Sequence, residues 1–254
     1  MPDVSVVMQA PNDARIADGL LRPPLEDPQT LEVLVVGAAA PRTDARVVTS
    51  PGGRGDAVAT ARGEIVLLLD AGVVATRGLV TEHARRHAAA TRRLVVGYTP
   101  IRVIHERVPG DSAVRLRAAH YRERCALYER DPASVLAQLW GGSVSMRRDD
   151  WRSLGLLDAA DLPDPQLGAR CAEAGIEGVF DRSLTALRIY EPSIAEFVRE
   201  ARAEGAGDRP HGLDRRSTSA SLLLRAALFV AGTAHAWVVQ DRVARTLWEL
   251  ESAA

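Results

Sequence analysis

Four short apolar runs, rich in β-branched residues, set the fold that this chain can adopt. They span residues 4–8, 32–36, 65–69 and 94–97. None shows a regular alternation of polar and apolar residues, which is typical of strands buried on both faces of a parallel sheet. A helical pattern over residues 79–90 separates the last two runs. The sequence therefore predicts an α/β fold with a Rossmann-like, mostly parallel sheet flanked by helices.

In a sheet of this kind, ligands bind at the carboxyl ends of the strands. The residues that follow the first three runs are Gln9, Gly37 and Asp70. These positions are the first candidates for a binding site. A glycine-rich loop over residues 50–55 follows none of the four runs and matches no phosphate-binding motif, so a simple turn is the favoured interpretation there.

Size and composition limit the class of protein. A chain of 254 residues with 46% hydrophobic content can bury one substantial core. The 32 Lys and Arg residues balance 33 Asp and Glu residues, so no overall charge favours nucleic acid as a partner. Cys125 and Cys171 lie far apart in the sequence and form no metal-binding or redox motif. We expect a reduced, cytoplasmic setting, since the N-terminus also lacks a secretion signal.

The C-terminal part of the chain differs from the rest. We predict one domain over residues 1–203, a polar linker over 204–216 and a helical extension over 217–254. The extension is strongly apolar over 220–239 but contains Arg225 and His235, and a charged side chain disfavours a membrane span. Docking on the domain and a homodimer interface are the favoured interpretations, and contact with a membrane surface stays open as an alternative.

Several collinear segments carry a resemblance to a known family. The strand over 65–69 ends in Asp70, and the segment Gly141-Gly142-Ser143-Val144-Ser145-Met146-Arg147-Arg148 follows downstream. Asp164 lies within Pro163-Asp164-Pro165-Gln166-Leu167-Gly168. Over roughly residues 4–199 the chain resembles the family 2 glycosyltransferases, which transfer sugars from nucleotide donors and have the GT-A fold.

The resemblance implies a role for each matched position. Asp164 stands where the family has its general base, and Trp140, Gly141 and Gly142 stand on the acceptor side. The nucleotide-binding candidates are Gln9, Asn12, Gly37 and Asp70, together with Arg188, which lies near the place of a histidine that the family has. A surface residue at a strand end is the plain alternative interpretation of Arg188. Asp70 is also the position that corresponds to a metal ligand of the family's Asp-x-Asp motif.

Three departures from the family pattern affect the donor side. Ala71 and Gly72 follow Asp70, so the Asp-x-Asp motif is degenerate. Residues 37–40 read Gly-Ala-Ala-Ala where the family has Asp-Asp-Gly-Ser, and residues 186–188 contain no histidine. A single carboxylate is a poor site for Mg or Mn, which favour several oxygen ligands. The sequence predicts weak metal dependence or none, with Arg188 as a candidate partner for phosphate.

The sequence leaves three functions open. The first is an inverting glycosyl transfer from a nucleotide sugar to a hydroxyl group of a small-molecule or lipid-linked acceptor, with a weakly bound Mg or Mn ion as an option. The second is a pseudoenzyme that acts as a binding or assembly partner. The third is a re-used pocket with different chemistry. Asp164 also has a plain structural interpretation as a helix N-cap, and His83 and His87 are expected on a solvated helix face.

Overall fold

The computed structural model describes residues 1–9, 14–37, 44–50, 52–90, 92–102, 111–155 and 164–189. The chain divides into two compact units. The first contains residues 1–102 and 118–189, and the fold and site described below belong to it. Of the second unit, which contains residues 103–117 and 190–254, the structure describes residues 111–117 as helical.

Strands and helices alternate along most of the described chain. The strands are β1 (Val4–Gln9), β2 (Thr30–Val36), β3 (Val47–Ser50), β4 (Ile65–Leu69), β5 (Val73–Ala75), β6 (Arg93–Tyr98), β7 (Ile101–Arg102), β8 (Ser143–Arg147) and β9 (Glu177–Ile189). The helices are α1 (Ala14–Glu26), α2 (Arg54–Thr60), α3 (Leu79–Ala88), α4 (Asp111–Arg130), α5 (Ser134–Ala137), α6 (Arg148–Ser153) and α7 (Asp164–Glu173). All four predicted apolar runs form strands.

The strands form one sheet in the order β3-β2-β1-β4-β8-β6-β9-β5, and β7 pairs with β9 beside this path. Strand β1 is parallel to β2 and β4, and β2 is parallel to β3. Strand β9 is parallel to β6 and β7. Strand β8 runs antiparallel to both β4 and β6, and β5 runs antiparallel to β9. The predicted mixed α/β fold with a mostly parallel sheet is confirmed.

The sheet is buried on both faces, which explains why its strands do not alternate. In β4, Ile65, Leu67 and Leu69 belong to one apolar cluster. Val66 and Leu68 belong to a second cluster on the opposite face. All five side chains are buried. Burial of each such side chain contributes about 1.5–3 kcal/mol, so both helix layers are held to this strand.

His83 and His87 lie in the core, so the expectation of a solvated helix face is wrong. Both rings are fully buried on the side of α3 that faces β8. His83 Nδ1 lies 2.8 Å from Ser145 Oγ, and His83 Nε2 lies 2.9 Å from Ser143 Oγ. His87 Nε2 lies 2.8 Å from the same Ser145 hydroxyl. Hydrogen bonds to the hydroxyl groups of β8 therefore offset the cost of burying the neutral imidazole rings.

The hydrogen-bond partners of these four side chains indicate where their protons lie. His87 Nδ1 has no hydrogen-bond partner among the described residues. A bare ring nitrogen costs less there than a buried N–H without an acceptor, so His87 carries its proton on Nε2 and donates to Ser145. Ser145 then donates to His83 Nδ1, and His83 donates through Nε2 to Ser143. Both imidazoles are neutral in this arrangement.

The predictions about the C-terminal part of the chain are not addressed by this structure. The boundary at residue 203, the linker over 204–216 and the helical extension over 217–254 lie outside the described residues. Within the part of the chain that is described, none of the helices combines the length and the apolar character needed to cross a membrane.

We predict that the folded protein loses stability as pH falls below about 6.5, the pKa of an unperturbed histidine. Burial lowers the pKa of His83 to about 3 and that of His87 to about 4. Below pH 6.5 the unfolded chain therefore takes up protons that the folded chain does not. The expected loss is roughly 1 kcal/mol per pH unit for each ring.

Urea unfolding at several pH values between 7.5 and 5 measures this slope. The slope should be smaller in His83→Gln and His87→Gln variants, whatever their stability at neutral pH. Equal slopes in the parent protein and in both variants would contradict the burial argument.

Candidate functional site

Three of the predicted nucleotide-binding residues lie at one edge of the sheet. Strand β1 lies between β2 and β4, with Gln9 paired to Val36 and Met8 paired to Leu69. Gln9, Gly37 and Asp70 therefore follow or end three neighbouring strands, with exposed Gln9 in the middle. The Gly37 N–H donates to the Ser50 carbonyl at 3.4 Å, which joins the end of β2 to that of β3. Asn12 lies outside the described residues.

Asp70 is the centre of an ion-pair network at this edge. Its Oδ1 accepts a hydrogen bond from Arg54 Nη1 at 3.0 Å, and its Oδ2 accepts one from Arg188 Nη2 at 2.7 Å. The Asp70 and Arg54 side chains are 26% and 30% exposed, and that of Arg188 is 11% exposed. The network is thus screened from solvent on the Arg188 side and open on the Arg54 side.

The backbone places Arg188 beside Asp70. Residues 70–73 form a turn in which the Val73 N–H donates to the Asp70 carbonyl at 3.0 Å. Strand β5 starts at that turn and pairs with the end of β9, Val73 opposite Arg188. The Arg188 N–H also donates to the Pro100 carbonyl at 3.1 Å. Arg188 is therefore fixed between two strands, with its side chain directed to the carboxylate at the end of β4.

The Gly141-Gly142 pair connects Asp70 to Asp164. The Asp70 N–H donates to the Gly142 carbonyl at 3.0 Å, and the Gly141 N–H donates to Asp164 Oδ2 at 2.6 Å. Gly142 has φ 137°, and a Cβ there would lie 2.5 Å from Thr99 Oγ1. A Cβ on Gly141 would lie 3.0 Å from both carboxylate oxygens of Asp164. Gly142 therefore requires the absence of a side chain, and a side chain at Gly141 would force the Asp164 carboxylate to shift.

Asp164 is half-buried at the first residue of α7, and its carboxylate accepts a hydrogen bond from another segment, at Gly141. Burial and the negative charge of Asp70 raise the pKa of Asp164 to about 6. The Gly141 N–H and the charges of Arg54 and Arg188 oppose this rise. A carboxyl group with this pKa can accept a proton near neutral pH and release it readily.

Trp140 borders the same pair of glycines within a cluster of aromatic side chains. Its ring centroid lies 5.4 Å from that of Tyr121 and 5.3 Å from that of His120, both in edge-on geometry. The Arg124 guanidinium lies over the indole at 5.9 Å from its centroid. The Tyr121 hydroxyl accepts a hydrogen bond from the Thr99 N–H at 2.7 Å. The cluster holds the Trp140 ring directly before Gly141 in the chain, and a role for it on the acceptor side stays a prediction.

Arg54 is the site residue that the sequence interpretation missed. It is the first residue of α2 and directly follows the glycine-rich loop, which was interpreted as a turn. The loop lacks a phosphate-binding motif, and neither hydropathy nor spacing indicated that Arg54 would pair with a residue 16 positions later. The parallel pairing of β2 with β3 carries α2 to this edge of the sheet.

The predicted site residues that are described fall into two groups. Asp70, Arg188, Gly141, Gly142 and Asp164 are linked by hydrogen bonds or ion pairs, or by the electrostatic effect of Asp70 on Asp164. Gln9, Gly37 and Trp140 border this group through the strand ends and through Gly141. The catalytic and binding roles of both groups stay predictions.

Comparison with known proteins adds a fold-level result. No protein-family model matches the chain, and no curated protein sequence matches it. Among solved structures, the chain is similar to a mannosyltransferase from Pyrobaculum calidifontis in complex with GDP-Man and Mn²⁺. The sequence identity is 18%, and the TM-score is 0.54 over 97% of this chain and 75% of that chain. The fold is glycosyltransferase-like.

We predict that Gly141→Ala destabilises the protein by about 1–3 kcal/mol because its Cβ crowds the Asp164 carboxylate. The cost should be smaller in an Asp164→Ala background, where the carboxylate is absent. Denaturant unfolding of the two single variants and the double variant gives the coupling free energy. Additive effects of the two substitutions would show that the two residues do not make the contact described above.

Proposed function

We propose that this protein transfers a sugar from a nucleotide donor to a hydroxyl group of an acceptor, with inversion at the anomeric carbon. The observation that carries the proposal is the position of the Asp164 carboxylate, which is held by the Gly141 N–H next to the pair of guanidiniums on Asp70. A base on one side and positive charge on the other are the two requirements of such a displacement.

In the proposed step, the acceptor oxygen forms a bond to the anomeric carbon while the bond from that carbon to the diphosphate oxygen breaks. The acceptor proton passes to Asp164. The electron pair of the broken bond leaves with the diphosphate, whose added charge is stabilised by the guanidiniums of Arg54 and Arg188. No covalent intermediate on the protein is needed, because the nucleophile is the acceptor itself.

The donor class is supported by the fold. The similar mannosyltransferase was solved with GDP-Man, and the ends of β1, β2 and β4 in this chain provide an open sheet edge of the type that binds nucleotides. The base and the sugar stay open, so a test needs UDP-linked and GDP-linked donors. The aromatic wall at Trp140 favours an acceptor with an apolar or ring-shaped face, either a small molecule or a lipid-linked one.

A second candidate function is a pseudoenzyme that binds a sugar or a nucleotide without transfer. The observation that favours it is the loss of acidic residues on the donor side, where Ala71 and Gly72 follow Asp70. The two functions separate in one experiment. A transferase releases nucleoside diphosphate from the donor when an acceptor is present, and a pseudoenzyme binds the donor without releasing it.

We predict that Asp164→Asn lowers turnover by roughly 10²-fold or more and leaves donor binding almost intact, since the amide keeps the shape but cannot take the proton. Release of UDP or GDP from a panel of nucleotide sugars measures turnover, and calorimetry measures binding. Asp149→Asn is the matched control, because that carboxylate is on the surface at 88% exposure. Full activity in Asp164→Asn would exclude Asp164 as the base.

We also predict that kcat/KM falls as pH decreases through about 6, because protonation of Asp164 removes the base. The charge of Asp70 raises the pKa of Asp164, whereas Arg54 and Arg188 lower it. Asp70→Asn should therefore shift the acidic limb of the pH–rate profile to lower pH. A limb that stays in place in this variant would show that the two carboxyl groups are not coupled.

A further inference from the structure

The divalent cation that a glycosyltransferase-like fold suggests does not fit the residues of this site. Both oxygens of Asp70 already accept hydrogen bonds from guanidiniums, at 3.0 and 2.7 Å. Within the described ranges, no group of three His, Cys, Asp or Glu side chains is placed to hold a metal ion. Mg and Mn need several oxygen ligands, and two guanidiniums beside the single carboxylate repel a divalent cation.

The backbone also excludes an acidic side chain at position 72, two residues after Asp70. Gly72 has φ +73°, and a Cβ there would lie 2.5 Å from the Ile189 carbonyl oxygen. That carbonyl belongs to β9, and the Ile189 N–H in turn donates to the Gly72 carbonyl at 2.8 Å. An acidic residue at position 72 would therefore separate β5 from the end of β9. The contact that brings Arg188 to Asp70 requires glycine in that place.

We infer that Arg54 and Arg188 bind the diphosphate of the nucleotide directly, without a divalent cation, and that Asp70 positions the two guanidiniums for it. The inference rests on the proposed function and assigns the anion-binding role within that same site. Asp70 is then a positioning residue. Its carboxylate holds two like charges close together, which would otherwise repel each other.

The donor groups of Arg188 fit this role. Its side chain is nine-tenths buried and contacts Asp70 end-on through Nη2, while its Nε–H has no hydrogen-bond partner within the described part of the chain. A guanidinium binds phosphate best through two parallel N–H groups. A phosphate that takes Nε and one Nη of Arg188 would satisfy the unpaired donor, which a carboxylate bound end-on does not.

Charge also favours the diphosphate. The two guanidiniums carry two positive charges, and both contact the one carboxylate of Asp70. A nucleoside diphosphate brings at least two negative charges and several acceptor oxygens, so it can share the arginines with Asp70 or take them over. Arg54 is the more exposed of the two arginines. We therefore expect the ligand to enter from the Arg54 side of the network.

Calorimetry with inorganic pyrophosphate, UDP and GDP tests the inference on the full chain, in buffer with EDTA and in buffer with Mn²⁺. We expect binding of at least one nucleotide and of pyrophosphate, with affinities in the two buffers within about threefold, equivalent to less than 1 kcal/mol. Binding that requires Mn²⁺ would overturn the inference. So would the absence of any binding in both buffers.

Substitutions assign the role to the two arginines. Arg188→Gln and Arg54→Gln should each weaken pyrophosphate binding by about tenfold or more, the effect expected for a lost charge-assisted hydrogen bond. Arg188→Lys should recover only part of the affinity, because lysine lacks the planar fork. Arg22→Gln is the matched control, since Arg22 also pairs with a carboxylate but lies on α1 at 77% exposure. Equal affinities in all four variants would overturn the assignment.

Asp70→Asn separates a positioning residue from a metal ligand. If Asp70 positions the arginines and holds no metal ion, this variant should change the affinity for pyrophosphate by the same factor in EDTA and in Mn²⁺, because the role involves no cation. Weaker binding that is confined to the Mn²⁺ buffer would identify a metal ligand and overturn the inference. Thermal unfolding tests whether each variant is folded. If Arg188→Gln does not fold, Arg54→Gln, at the more exposed position, still tests the site.

The outcome is independent of the test of transfer. Asp164→Asn should not weaken diphosphate binding in EDTA, because the substitution removes a negative charge that acts on Arg54 and Arg188. If no donor is consumed but pyrophosphate binds without metal through Arg54 and Arg188, the transfer proposal fails and the anion site stands. If donor is consumed only with Mn²⁺, the transfer proposal stands and the anion site fails.

Discussion

The site depends on the carboxylate of Asp70, which stands at the end of β4 between two guanidiniums. Removal of one partner from a buried ion pair costs about 3–5 kcal/mol, whereas an exposed pair contributes about 1 kcal/mol or less. The pair with Arg188 is close to the first case and the pair with Arg54 is between the two. Asp70 therefore fixes the end of β9 more firmly than it fixes the start of α2, and the Arg54 side is the one that a ligand can rearrange.

The sequence was sufficient to predict β1, β2, β4 and β6 and the edge of the sheet at which Gln9, Gly37 and Asp70 lie. Strand β4 was predicted over its full length, because five consecutive apolar residues before a single Asp are typical of a parallel strand that ends at a ligand. Asp70 and Asp164 are 94 positions apart in the sequence, and the hydropathy pattern does not indicate that they belong to one site. Only the resemblance brought these two residues into one hypothesis, and the Gly141-Gly142 hydrogen bonds give that hypothesis a physical basis.

Other features could not be found in the sequence, for identifiable reasons. Arg54 follows a loop without a motif. The order of the strands in the sheet brings it to Asp70, and a local sequence pattern does not encode that order. His83 and His87 looked like polar residues on a helix surface, since their partners Ser143 and Ser145 belong to a strand about 60 positions away. Gly72 looked like the loss of a ligand. The structure shows that its missing side chain is required by the Ile189 carbonyl.

In the proposed site, the charges that would take the place of a cation also affect the pKa of Asp164. A divalent ion next to Asp70 would stabilise the ionised form of Asp164 and make it a weaker base. In this site the positive charge of the arginines is partly neutralised by Asp70, and burial together with Asp70 keeps the pKa of Asp164 near 6. A diphosphate that binds the arginines would add negative charge and raise the affinity of Asp164 for a proton further. In the proposed reaction, donor binding would then strengthen the base only after the leaving group is in place, which limits proton removal to the complex that can react.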